Sequence, residues 1–225
     1  MPNIAEIEDK EMQQKTIEAK EVIRETLQKA KNPFVAFTGG KDSLTTLHLV
    51  RSVSQKQVSA LFIDTSGHFE DIYQFVEKIR RLWGIRLIKE RNEKALRDIA
   101  IAQDKESCCS LLKAAVLRDS IARHEIDYLF TGIRRDELEM RRNEEFISPR
   151  DGHIRVNPVV FFTEKDIWAY IKENNLPYCS LYDNGYRSID CWHCTSKTPE
   201  GAREREGRAR GKEEIMSKLR NLGYF

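Results

Sequence analysis

Residues 34–43 read Phe34-Val35-Ala36-Phe37-Thr38-Gly39-Gly40-Lys41-Asp42-Ser43. The first four form a continuous apolar run, suited to a strand buried on both faces. Two glycines then permit a tight turn and a close backbone approach, after which Leu44, Leu47, Leu49 and Val50 read as the start of a helix. A strand, a glycine turn and a helix in this order gather successive amides and a helix N-terminus at one point. Such a point favours an anion, and Thr38, Lys41 and Ser43 add donors to it. The string is not a Walker A loop, which needs four residues between its first Gly and the Gly-Lys pair.

The same theme recurs downstream. Val58 to Ile63 reads as a strand, Asp64-Thr65-Ser66-Gly67 as its exit loop, and Ile72 to Trp83 as a helix with apolar positions at Ile72, Phe75, Val76, Ile79 and Leu82. A strand at Ile85 to Ile88, a helix around Leu111 to His124, and a strand Tyr128-Leu129-Phe130 ending in Thr131-Gly132 continue the alternation. This pattern predicts an α/β fold, a doubly wound, mostly parallel sheet with helices on both faces. Ligands of such sheets gather at the carboxyl ends of the strands, so Thr38 to Ser43, Asp64 to His68 and Thr131 to Glu137 are expected to meet in one crevice.

Residues 1–32 precede this domain and carry an amphipathic helix with Ile17, Val22, Ile23 and Leu27 on one face. The domain that carries the anion loop is expected over 33–175. It closes with a short strand Val156 to Val160 and a helix through Ile167, Trp168, Tyr170 and Ile171, which Thr163 and Asp166 cap. Residues 176–225 form a cysteine- and arginine-rich segment with little periodicity until a final helical stretch, expected to fold over the crevice.

The 225 residues carry 38 Lys+Arg against 36 Asp+Glu, a net charge of +2, so a sequence-wide pull on nucleic acid is not expected and partners must be argued locally. The composition reads as globular, with no membrane segment. The charged first thirty residues lack the apolar core of an export signal, so a cytoplasmic, reducing location is expected. There, the five cysteines, Cys108, Cys109, Cys179, Cys191 and Cys194, read as metal ligands or redox groups more naturally than as disulfides. The basic stretch Arg203, Arg205, Arg208, Arg210 and Lys212 suits active-site cover over phosphates; a nucleic-acid backbone is the other partner it would suit.

Thr38-Gly39-Gly40-Lys41-Asp42-Ser43 resembles the PP-loop of the adenine nucleotide α-hydrolase superfamily, with Thr38 in place of its first Ser. Asp64-Thr65-Ser66-Gly67 and Gly132-Ile133-Arg134-Arg135-Asp136-Glu137 resemble segments of the phosphoadenosine phosphosulfate (PAPS)/adenylyl-sulfate reductases and of the sulfate adenylyltransferase small subunit. Cys108-Cys109 and Cys191-x-x-Cys194, with Arg205-Glu206-Gly207-Arg208 after them, resemble the adenylyl-sulfate reductases that bind a [4Fe-4S] cluster. On ligand count alone zinc is the alternative for these four thiols. The resemblance implies that Thr38, Gly39, Gly40, Ser43, Asp64, Thr65, Gly132, Arg205 and Arg208 bind the nucleotide. It gives Lys41 the charge on a departing pyrophosphate, Asp42 a Mg²⁺ or a loop amide, and Arg134 or Arg135 an anion. Relatives imply a homodimer.

Two departures from the reductases bear on activity. The loop keeps Gly-Gly-Lys-Asp-Ser, which those reductases alter, and no cysteine follows Cys194, where they carry a nucleophile. The expected activity is therefore ATP cleavage at the α-β bond, activating sulfate or a nucleic-acid oxygen for sulfur from a donor or larger partner subunit. The alternatives are reduction of adenylyl sulfate or PAPS with a borrowed thiol, and a non-catalytic subunit that binds nucleotide and cluster.

Overall fold

A computed structural model of the chain describes residues 4–209 and 214–221. Arg210 and Lys212 of the basic stretch, and Leu222 to Phe225, lie outside the described residues.

The chain runs through α1 (Ile4–Lys29), β1 (Pro33–Ala36), α2 (Lys41–Val53), β2 (Ser59–Ile63), α3 (Glu70–Trp83), β3 (Leu87–Glu90) and α4 (Glu93–Asp98). Next come α5 (Lys105–Cys109), a π-helical turn (Ser110–Ala114) that joins it to α6 (Ala115–Arg123), and β4 (Tyr128–Phe130). The hairpin β5 (Ile147–Arg150) and β6 (His153–Val156), α7 (Glu164–Glu173), three short 3-10 turns and α8 (Met216–Asn221) complete it. The six strands lie in the order β3-β2-β1-β4-β6-β5. All neighbours are parallel except β5, which runs antiparallel to β6 at the edge.

The expected doubly wound sheet is what forms. The apolar run of β1 explains why it is central: Val35 faces one core and Phe34 the other. On Val35's side, Ala60, Phe62, Phe130 and Val156 pack with residues of α1, α2, α3 and α7. Leu44 and Leu47 of α2 are wholly buried there, each contributing roughly 1.5–3 kcal/mol. On Phe34's side, Leu61 and Leu129 meet Leu117 and Ile121 of α6. Leu176, Cys179 and Leu181 join the first core, so the segment from residue 176 packs onto the same core as the sheet.

Several boundaries differ from the sequence reading. The strand expected at Val156 to Val160 stops at Val156, because Pro158 has no N–H for the ladder and the Asn157 side chain turns to Thr131 and to the Glu145 carbonyl. The strand expected at Ile85 begins at Leu87, after left-handed Gly84 has closed α3 and the Ile85 N–H has bonded back to Arg80. Thr163 and Asp166 form a complete capping box on α7, and Asp166 also takes Lys15 of α1 at 2.7 Å.

Candidate functional site

The loop after β1 turns at Gly39, whose φ of +80 favours glycine and whose missing side chain lets the turn lie against Ile72 and Val76 of α3. Gly40 caps α2. Ser43 Oγ locks the loop by accepting from the Thr38 N–H at 3.2 Å and donating to the Gly40 carbonyl at 2.9 Å. The exit of β4 comes in from the other side. A Cβ on Gly132 would stand 2.7 Å from the backbone of Asp42 and Ser43, so only glycine lets β4 deliver Arg134 beside the N-terminus of α2.

Between these exits lies a cavity of about 220 Å³. Its apolar wall includes Ala36, Leu61, Ile63, Leu117 and Leu129; its polar wall includes Lys41, Lys113, Arg141, Arg155, Arg205 and Arg208. Thr38, Gly40, Asp42, Ser43, Thr65 and Gly132 also line it, so the three strand exits converge as expected.

Lys41 and Arg134 are almost fully buried, 1% and 0% exposed, in a network of alternating charge. Lys41 Nζ meets Asp42 at 3.2 Å and pairs with Glu204, while the Arg134 guanidinium reaches Asp42 at 2.7 Å, Asp136 and the other oxygen of Glu204. Burial alone would lower the Lys41 pKa, but Asp42, Tyr182 and Glu204 hold it above the usual lysine range. Burial pushes the Glu204 carboxyl up, against the pull of Lys41. Beside them, Arg141 and Arg205 flank Glu137 and outweigh its burial, holding its carboxyl well below the usual range. The Lys41 N–H donates to the Tyr182 hydroxyl at 2.8 Å.

The second cysteine motif docks on the exit loop of β2. The Trp192 N–H donates to the Gly67 carbonyl at 2.8 Å, and Cys191 Sγ lies 3.2 Å from Thr65 Oγ1. Cys108 and Cys109 end α5 just before the π turn, which brings Lys113 onto Asp190; Arg208 holds the same carboxylate at 2.9 Å. All five cysteines are free thiols. Burial raises the Cys194 pKa and nearby Cys191, Cys109 and Cys108 add to it, so the two motifs share one electrostatic neighbourhood. Among the described residues, no three His, Cys, Asp or Glu side chains are grouped so as to hold a single metal ion.

Four of the expected nucleotide-site residues lie off the cavity wall: Gly39 shapes the loop turn, Arg134 is buried in the charge network, and Asp64 and Arg135 have other partners. Asp64 accepts from the Ser66 N–H and the Tyr73 hydroxyl, at 2.8 and 2.7 Å, and so shapes its own turn. Arg135 stacks its guanidinium 4.4 Å over Phe161 and donates to the Glu144 carbonyl, outside the cavity wall. Tyr182 and Glu204 were not singled out by sequence. Neither has a local signal, since each reaches the loop from more than 140 residues away along the chain.

A mostly parallel sheet with an anion loop, cationic walls and paired cysteines at its carboxyl edge defines a nucleotide-binding α/β protein. The model of the phosphoadenosine phosphosulfate reductase domain matches residues 32–197, and the chain belongs to that family. The adenosine 5'-phosphosulfate reductase of Bacillus mycoides (strain KBAB4) is 32% identical over 183 residues, spanning 77% of each chain. The phosphoadenylyl-sulfate reductase of Candida auris superposes with a TM-score of 0.69 at 22% identity, over 88% of this chain and 98% of that one. The FMN adenylyltransferase of Candida glabrata shares the fold, with a TM-score of 0.67 at 19% identity over 95% and 81%. Among the described residues, no helix is long and apolar enough to cross a membrane.

Proposed function

We propose that the chain is a sulfonucleotide reductase, acting on adenylyl sulfate or its 3′-phosphorylated form. The observation that carries this reading is the seating of the Cys191-x-x-Cys194 motif against Thr65, at the edge of a cavity whose cations suit a nucleotide anion. The comparisons back it better than the ATP-cleaving reading, since the curated relatives named above are reductases. The apolar wall around Leu61, Leu117 and Leu129 suits an adenine ring, and the arginines suit its phosphate and sulfonate.

In the proposed reaction a thiolate attacks the sulfonate sulfur. The new S–S bond forms as the bond from that sulfur to the bridging oxygen breaks, and AMP leaves with the electron pair. A second thiol then attacks the first, releasing sulfite and leaving a disulfide. In total, one adenylyl sulfate and two thiols give AMP, sulfite, a disulfide and two protons. Cys179 is a poor nucleophile for this step: it is 1% exposed in the core, and burial pushes its thiol up. The two thiols are therefore assigned to a dithiol co-substrate.

Cys108, Cys109, Cys191 and Cys194 would hold a [4Fe-4S] cluster. Four buried or half-buried thiols from two motifs fit that group, and Cys108, Cys109 and Cys191 lie near enough to Cys194 to raise its pKa. When bound, the cluster would tie the two motifs together and set the field beside Lys113. One observation favours a second reading: the intact Gly39-Gly40-Lys41-Asp42-Ser43 loop suits an ATP phosphate tail. Anaerobic incubation with adenylyl sulfate and a dithiol tests the proposal. It predicts AMP and sulfite in equal amounts, and pyrophosphate release from ATP without sulfite formation would support the second reading instead.

A further inference from the structure

The puzzle left by the phosphate loop is that it looks built for a polyphosphate, yet its strongest cations are already engaged. Glu204 lies in the 3-10 turn Glu204–Gly207 and puts one carboxylate oxygen on Lys41 Nζ and the other on Arg134. The Tyr182 hydroxyl occupies the Lys41 N–H at the same loop. With both in place, Lys41 and Arg134 are 1% and 0% exposed.

Glu204 is held there from both sides. The Arg187 guanidinium donates to the Ala202 carbonyl at 2.5 Å, and Arg205 pairs with buried Glu137. Gly207 seats the turn against the strand-like segment before it, where a Cβ would stand 2.4 Å from the Ser196 carbonyl oxygen. The Gly207 carbonyl also accepts from the Ser196 N–H at 2.8 Å. A carboxylate fixed in this way is part of the site's shape.

We infer that Glu204 is a specificity-determining residue: its carboxylate stands in for an anion on Lys41 and Arg134 and sets the crevice against the triphosphate tail of ATP. This rests on the crevice being a nucleotide site, as proposed above. A triphosphate would have to displace a doubly paired carboxylate or approach its negative charge in a poorly screened interior. A nucleotide with one anion beyond its α-phosphate carries less charge to that corner, where the Glu204 carboxylate sits between Lys41 and Arg134. A loop of PP type can thus serve a nucleotide that has no pyrophosphate to lose.

Calorimetric titration of the full chain with AMP and with Mg-ATP, in the native protein and in Glu204→Gln, tests the inference. The native protein is expected to bind ATP no more tightly than AMP. In Glu204→Gln the ATP-to-AMP affinity ratio should rise by about ten-fold or more, because one buried negative charge is gone while the side-chain shape is kept. An unchanged ratio, with AMP still bound by both proteins, would overturn the inference and leave the nucleotide reading intact. Failure of both proteins to bind AMP would remove the nucleotide reading and the inference with it. Should Glu204→Gln not fold, the native protein alone decides: ATP binding ten-fold tighter than AMP, roughly 1.4 kcal/mol, contradicts the inference.

Discussion

Glu137 shows how a single residue ties the crevice to the rest of the molecule. Its carboxylate is shared by Arg141, four residues on, and by Arg205 from the 3-10 turn Glu204–Gly207. Its folded pKa lies below the unfolded value of about 4.3, so its contribution is fully present above that pH and is lost as pH falls through the folded value. Urea melts should therefore show stability declining below about pH 4, and Glu137→Gln should flatten that decline. The variant should also be less stable at pH 7 by about 3 kcal/mol, because it removes the carboxylate that two buried guanidinium groups share. Equal pH slopes in the two proteins would count against this account. Arg134 is legible from its charged string at a strand exit and Arg205 from Arg205-Glu206-Gly207-Arg208, both local information. Glu204 and Tyr182 were illegible, because their roles depend on how residues 176–209 fold back over α2.

At the scale of elements, the site depends on β4 meeting the N-terminus of α2 through Gly132. Gly132→Ala would press a Cβ to 2.7 Å from rigid backbone, which cannot rotate away as a side chain would. It should cost about 1–3 kcal/mol and weaken AMP binding, measured by urea midpoint and calorimetry. Native-like values of both would contradict that contact. The π turn between α5 and α6 has a second consequence, since it places Lys113 on Asp190 directly after the Cys108-Cys109 pair. Cys109→Ser and Cys194→Ser should each lower iron bound per chain after anaerobic purification while AMP binding persists. Iron retained in full by both would remove these thiols as ligands. Long apolar periodicities made β1, β2, α3 and α7 legible. The β5–β6 hairpin was missed because its strands are only four residues each and partly polar, although Asp151-Gly152 is a turn signal, with Gly152 at a φ of +75. The π turn was missed because no residue pattern marks it.

For the whole molecule, the near-balance of charge conceals a segregated interior. Cations crowd the carboxyl edge of the sheet, and acidic side chains from before and after residue 176 neutralise them: Asp42, Glu137, Asp190 and Glu204. Fold class followed from the alternation of strand and helix, and the location of the crevice followed from the topology of such sheets. Substrate choice did not, because a PP-like loop reads as an ATP site in sequence, and the proposal against ATP rests on a carboxylate that reaches the loop from Glu204. The direct test is a competition: one anaerobic sample of the full chain, a dithiol, Mg²⁺, and equal ATP and adenylyl sulfate, with products separated by ion chromatography. The account predicts AMP and sulfite appearing together while ATP is untouched; pyrophosphate accumulating from ATP with adenylyl sulfate unconsumed would contradict it.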